Sequence, residues 1–214
     1  MRKIVVVLKS GGDFTAEDVL VLFRQIKRSF FLPDIKLYCL TDVPFQIPGV
    51  ERIPLKYNYP GKWSMHEVFR ITGQVVCVGL DTIFVRNCDV LFEETKKLQP
   101  DEFAMINSFH PARQYANGIM SWNGDWTRLL KYKVTPNIVR RYKMEQKVTI
   151  QNLKEEKAKI KSINNWLPIY SYKHHIQGKG IPQDCKLILF HGKPRPKDVT
   201  ETEIKKLRLC ETQF

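Results

Sequence analysis

The sequence predicts an α/β fold: a single domain, residues 1–214, with a central mixed, mostly parallel sheet flanked by helices. Two observations carry this. Short uninterrupted apolar runs, Ile4 to Leu8 and Val75 to Leu80, read as strands buried on both faces. A strand, a helix and a second strand also follow one another at the start of the chain. That order joins parallel strands and opens a ligand crevice at their carboxyl ends. A length of 214 residues fits one domain with a sizeable core.

Taken in order, Ile4 to Leu8 is the first strand, and Lys9-Ser10-Gly11-Gly12 is the turn that ends it. Thr15, with Asp18 three residues on, has the spacing of a capping box, and Val19, Leu22, Phe23 and Ile26 follow at helical spacing. Ile35 to Leu40 is the second strand and stops at Thr41-Asp42. A helical stretch near Met65 to Arg70 precedes the third strong strand, Gln74 to Leu80, which ends at Asp81. After Ile83-Phe84-Val85 the chain turns at Arg86-Asn87-Cys88-Asp89. Short strands are predicted at Phe103 to Ile106 and Gly118 to Trp122, and helices at Trp126 to Tyr132 and Pro136 to Tyr142. The polar, Lys-rich segment 143–165 reads as a mobile excursion. A last strand, Lys186 to Phe190, runs into His191-Gly192-Lys193-Pro194, with an antiparallel finish expected there.

Composition narrows the function classes. Hydrophobic residues make up 43% with ordinary glycine and proline usage, which excludes collagen-like or wholly disordered chains. No apolar run approaches the ~20 residues of a membrane span. Met1-Arg2-Lys3 passes straight into a strand with no signal-peptide core. The five cysteines are odd in number and scattered, and none is spaced as CxxC. They are expected as reduced thiols in a cytoplasmic protein, without a thiolate zinc site. Thirty-five Lys and Arg against 22 Asp and Glu give +13, which favours anionic partners. Lys131 to Lys161, with ten basic and three acidic residues, supplies +7 of it. That stretch reads as a solvated helical face, or as a nucleic-acid contact.

Three features lie at predicted strand ends. Asp81 emerges from a buried strand, where a carboxylate needs a hydrogen bond or a metal; a turn aspartate bonded to nearby backbone is the structural alternative. In Phe190-His191-Gly192-Lys193-Pro194-Arg195-Pro196, imidazole can ligate a metal and glycine lets backbone approach a phosphate. Lys193 and Arg195 can neutralise a diphosphate. Asn117-Gly118 leads into a strand, either as a simple turn or as an amide suited to sugar hydroxyls.

Together these segments resemble the GT-A-fold nucleotide-sugar glycosyltransferases, particularly the compact type of bacteria and of large algal viruses. The motifs that carry the resemblance are Cys39-Leu40-Thr41-Asp42, Trp63-Ser64-Met65-His66-Glu67-Val68-Phe69, Val78-Gly79-Leu80-Asp81-Thr82, Gly118-Ile119-Met120-Ser121-Trp122, Ser171-Tyr172-Lys173 and the closing His191 segment. They run in order from about residue 3 to 199. Gly79 stands where the Asp-x-Asp metal motif has its first aspartate, and Met65 replaces a lysine.

The resemblance implies a Rossmann-like GT-A domain that transfers a sugar from a UDP-sugar to a glycan, a glycoprotein or another hydroxyl acceptor. It implies Mn²⁺ or Mg²⁺ held by Asp81 and His191 with the donor phosphates. Lys9, Thr41, Asp42, Gly79, Leu80, Gly192 and Lys193 would line the nucleotide, and Asn117 the sugar. Asp125 and Asp101 are candidates for a base at the acceptor hydroxyl. The alternative reading is a nucleic-acid-binding protein or metal-dependent nuclease, although no Cys/His finger, RNP-type aromatic strand or basic heptad helix is present. A sugar-binding module without catalysis is a third reading, prompted by Gly79.

Overall fold

The structure, a computed structural model, describes residues 1–211. Strand β1 (Arg2–Leu8) is followed by helix α1 (Ala16–Ser29), and β2 (Ile35–Thr41) returns parallel to β1 in full register. This is the expected βαβ unit. The Asp18 carboxylate accepts a hydrogen bond from the Thr15 backbone N–H at 2.9 Å, closing the start of α1 as the spacing predicts. Strand β3 (Val50–Pro54) extends the sheet beyond β2, and β4 (Gly73–Val78) lies on the other side of β1, all four parallel.

The short β5 (Thr82–Phe84) and helix α2 (Val90–Lys97) lead to β6 (Glu102–Asn107) and β7 (Tyr115–Gly124). Helices α3 (Pro136–Tyr142) and α4 (Glu145–Glu155) precede β8 (Lys159–Ser162). The main sheet has the order β3-β2-β1-β4-β7-β6-β8, and only β7 runs against the other six strands. Mixed and mostly parallel, it is the predicted sheet. A second, three-stranded sheet joins β5, β9 (Ile169–Ser171) and β10 (Leu187–Leu189), and α5 (Thr202–Leu209) packs beside α1.

Alternation along the strands explains the two-sided core. Ile4, Val6 and Leu8 join Val19, Leu22 and Ile26 of α1 on one face. Val5, Val75 and Cys77 join Phe103, Trp122 and Trp126 on the other.

One expectation needs correction. The Lys-rich segment 143–165 is regular structure: α4 buries Val148, Thr149, Asn152 and Leu153, and β8 pairs parallel with β6. Its polar composition hid a buried face made partly of Thr and Asn. The stretches around Met65 to Arg70 and Trp126 to Tyr132 are helical as expected, in the tighter 3₁₀ form, Gly61–Arg70 and Thr127–Lys131. The described cysteines are free, and Cys39, Cys77, Cys88 and Cys185 are buried, where a thiol packs as a small hydrophobe. No described helix is long and apolar enough to cross a membrane.

Candidate active site

Parallel strands bring their carboxyl ends to one edge, and that edge collects most of the residues singled out above. Lys9 follows β1, Asp42 follows β2, Gly79 and Asp81 follow β4. Because β7 runs the other way, its early residues Asn117 and Gly118 reach the same edge, where the Gly79 N–H donates to the Gly118 carbonyl at 2.9 Å. The second sheet supplies the last member. β10 pairs antiparallel with β5, and the Phe190 N–H donates to the Asp81 carbonyl at 3.0 Å, which sets His191 beside the Asp81 strand end.

At the β1–β2 end of the edge, Lys9 Nζ lies 2.5 Å from Asp42 Oδ2 and 3.2 Å from Asn58 Oδ1. Ser10 donates to Asp42 through both its N–H and its hydroxyl. Although burial works the other way, the hydrogen bonds from Lys9 and Ser10 hold Asp42 below the usual carboxylate range. The buried Glu67 fixes the neighbouring loop. Its carboxylate accepts from the N–H groups of Lys56 and Tyr57 at 2.6 and 2.8 Å and from Arg70 at 2.7 Å. Thr41 and Leu80 are placed differently from expectation: both are buried, and the Thr41 hydroxyl accepts from the Val43 N–H at 2.9 Å. The Thr41 hydroxyl thus holds the chain just after β2, and Leu80 packs into the core.

At the centre, the Asp81 carboxyl folds back over Gly79. A Cβ there would lie 2.4 Å from Asp81 Oδ1, so the glycine is the space the carboxylate uses. Burial pushes the Asp81 carboxyl up to about 6, with Arg195 pulling it down and Glu145 adding to the rise. Arg195 Nη1 stands 3.2 Å from Asp81 Oδ2. His191 Nε2 is 2.7 Å from the buried Ser171 hydroxyl, which fixes the ring. Burial, with His174 and Lys173 nearby, holds His191 below its ordinary value, so the imidazole is neutral at pH 7 and able to ligate. Gly192 has φ 77°, a left-handed conformation that favours glycine in the closing turn. Lys193 follows it, 67% exposed on its side chain and 3.4 Å from Asp13 Oδ1.

A carboxylate and a neutral imidazole on neighbouring strands suit a divalent ion of borderline softness. Among the described residues no group of three or more His, Cys, Asp and Glu side chains gathers around one point. An ion at this edge would have Asp81 and His191 as its protein ligands and would need phosphate and water to complete its shell.

Asp125 and Asp101 are not part of this edge. Gly124 pairs with Gly73 at the start of β4, so Asp125 lies beyond the opposite end of that strand, whose six residues span about 20 Å at ~3.3 Å per residue. There its carboxylate accepts from the Thr127 N–H at 2.7 Å. Asp101 precedes β6 at that same far end and pairs with Lys159. Antiparallel β7 and its partner β6 carry both away.

The carboxylate that does reach the site is Glu145, at the start of α4, whose Oε1 accepts from Asn117 Nδ2 at 3.3 Å. Lys62 Nζ lies 3.5 Å from its other oxygen. In the sequence Glu145 is one acid among many lysines, and its only signal is that an acidic residue suits a helix's first turn. As for the basic stretch, Lys131, Lys159 and Lys161 pair with Glu156, Asp101 and Glu102, which disperses its charge.

No protein-family model and no curated protein matches the chain. Solved structures do. The glycosyltransferase GlyE of Streptococcus pneumoniae TIGR4 superposes with a TM-score of 0.66 at 13% identity, covering 98% of this chain and 61% of its own. The chain thus spans less than two thirds of GlyE. The galactosyltransferase LgtC, solved in complex with donor and acceptor sugar analogues, gives a TM-score of 0.66 at 11% identity over 96% of this chain and 95% of its own. An active-site mutant of LgtC gives 0.65. The chain has the GT-A fold of these glycosyltransferases over nearly its whole length. These matches give no support to a viral source.

Proposed function

We propose that the protein is a glycosyltransferase that takes a sugar from a nucleoside diphosphate sugar, a UDP-sugar, and passes it to a hydroxyl of a glycan or glycoprotein. The observation that carries this reading is the convergence of Asp81, His191, Gly192, Lys193, Asn117 and the Lys9–Asp42 pair on one edge of a GT-A sheet. LgtC, with the same fold, was solved with donor and acceptor sugar analogues.

In this reading Asp42, Lys9 and Asn58 meet the nucleoside, and Gly192 and Lys193 meet the diphosphate. Asp81 and His191 would hold Mn²⁺ or Mg²⁺, with the imidazole favouring Mn²⁺. When bound, the ion offsets negative charge that develops on the departing diphosphate. Lys193 adds a point charge on the same oxygens. Asn117 and Glu145 form the polar wall on the sugar side, joined by a hydrogen bond from the Asn117 amide to Glu145 Oε1 that leaves the amide one N–H and its carbonyl for a ligand. Asp81, half-buried and beside the Arg195 guanidinium, is the carboxylate offered to a cation.

Thermal shift and calorimetry with UDP, UDP-sugars and Mn²⁺, beside a donor-turnover assay and a salt-dependent DNA-binding assay, test the reading. The expected result is UDP stabilisation of about 2.7 kcal/mol at 100 times the dissociation constant, lost in excess EDTA, with no specific DNA binding. Equal stabilisation in EDTA would remove the metal from the site. Binding without turnover of any UDP-sugar would leave a sugar-binding module.

A further inference from the structure

The segment after His191 carries a second cation whose contacts go beyond phosphate binding. Arg195 is anchored on one side by Asp13: Nε and Nη2 lie 3.0 and 2.9 Å from Asp13 Oδ2, and the guanidinium sits 5.0 Å from the centre of the Phe14 ring. Lys197 Nζ donates to the Asp13 carbonyl, which ties the same loop down again. So held, Arg195 has one nitrogen left facing the site, and Nη1 reaches Asp81 Oδ2 at 3.2 Å. The other Asp81 oxygen lies against Gly79, within 2.4 Å of where a Cβ would be. One oxygen of the lone acidic metal candidate thus faces the guanidinium, and the other uses the space that Gly79 leaves. A guanidinium stays charged at every pH a protein tolerates, so the cation beside Asp81 cannot be removed by titrating Arg195.

We propose that Arg195 is a built-in counter-cation of Asp81. In the nucleotide-free protein it occupies the carboxylate oxygen a divalent ion needs, and it passes to the diphosphate when the donor enters. The inference rests on the donor-site reading above. Its consequence is an ordered site: the ion gains access to Asp81 only together with a diphosphate able to draw the guanidinium away. Asp13 keeps the arginine within reach in both states, since the anchoring fork and the mobile Nη1 are different parts of one planar group. No covalent step is involved. The effect is a coupling between two binding events, and each ligand must raise the affinity of the other by the same factor.

The test is the Arg195→Gln protein, with Mn²⁺ binding followed by electron paramagnetic resonance of the free ion and UDP binding by calorimetry. Loss of an ordinary structural arginine would weaken both ligands. The expected result has opposite signs: Mn²⁺ binds the nucleotide-free variant about five- to tenfold more tightly than wild type. UDP in EDTA binds it about tenfold more weakly, the loss of one charge-assisted contact. Arg195→Lys provides the second variant; its point charge cannot hold the Asp13 fork and reach Asp81 together, so its Mn²⁺ affinity falls between the two. If wild type binds Mn²⁺ and UDP with mutual enhancement but neither variant tightens Mn²⁺ binding, the counter-cation role is overturned and the donor site stands. If wild type binds no UDP under any condition, the donor-site reading fails and this inference with it.

Discussion

Gly79→Ala tests the centre of the site most directly. The added Cβ would lie 2.4 Å from Asp81 Oδ1 and 3.6 Å from the Gly118 carbonyl oxygen, and real Cβ contacts do not fall below 3.0 Å. Gly79 is outside the left-handed region, so backbone strain adds nothing and the whole cost falls on the carboxyl. Asp81 has to turn aside, and the contact of Oδ2 with Arg195 at 3.2 Å goes with it. Losing one charge-assisted hydrogen bond costs about 1.5–3 kcal/mol, and each kcal/mol shifts the melting temperature of a chain this size by about 2–4 °C. In EDTA the variant is therefore expected to melt about 3–12 °C below wild type and to lose most of its Mn²⁺-dependent UDP binding. Gly79→Asp should melt as low in EDTA but recover with Mn²⁺ alone, because two carboxylates then share the ion. Scanning fluorimetry with and without Mn²⁺, followed by calorimetric UDP titrations, measures both. A Gly79→Ala protein that melts with wild type and binds Mn²⁺ and UDP equally well would show that the carboxyl does not use this space.

Further outcomes follow from other parts of the site. Asp81→Ala and His191→Ala should each abolish most Mn²⁺-dependent donor binding while circular dichroism stays unchanged; normal turnover in both would remove the site assignment. Glu67→Gln leaves the Arg70 guanidinium without its buried charge and weakens the bonds that hold the loop bearing Asn58, so denaturant unfolding should show a loss of about 3–5 kcal/mol. No change in midpoint would count against that role. Burial pushes His66 down to about 4 from its ordinary 6.5. The unfolded chain therefore takes up a proton between those values that the folded one refuses, and stability falls as pH drops from 6.5 to 4 by up to about 3 kcal/mol. A His66→Phe protein should lose less over that window, which parallel melting curves would reveal; equal losses would exclude His66 as the source. Asp42→Ala should raise the UDP dissociation constant without affecting Mn²⁺ binding to the free protein, which separates the nucleoside end from the metal end.

What the sequence made legible, and what it hid, divides along physical lines. Buried strands that stop at a polar residue, such as Ile4 to Leu8 before Lys9 and Gln74 to Leu80 before Asp81, announce both the sheet and the edge where a ligand sits. Parallel strands must end together, which is why Lys9, Asp42 and Asp81 are found on one rim. Strand direction is not written in periodicity, however. The reversal of β7 brings Asn117 to that rim and sends Asp125 to the far end, and nothing near either residue distinguishes the two outcomes. Burial by Thr149 and Asn152 concealed α4, and with it Glu145. The Asp81–Arg195 contact joins residues 114 apart in sequence and becomes visible only once β10 lies against β5.

Glycine at 79 and arginine at 195 act in the same direction on the charge of the site. Removing an acid from the metal motif and adding a fixed cation beside the remaining one both make the empty crevice more positive. Around Asp81 the cations Lys173, Lys193, Arg195 and Lys197 stand with the carboxylates of Asp13, Asp18, Asp81, Glu145 and Asp198. The positive charge that matters is therefore local, the Arg195 guanidinium 3.2 Å from Asp81 Oδ2. A bare divalent ion approaching Asp81 would meet that guanidinium at close range, whereas a diphosphate would be drawn to it. With a diphosphate in place, the ion would find phosphate oxygens together with a carboxylate freed of its guanidinium. A glycine in the metal motif is thus compatible with metal-assisted transfer, provided the ion arrives with its nucleotide. Salt supplies an independent measure of this: raising ionic strength should weaken UDP binding in EDTA more in wild type than in the Arg195→Gln protein. Equal salt dependence in the two proteins would mean that the guanidinium does not meet the diphosphate.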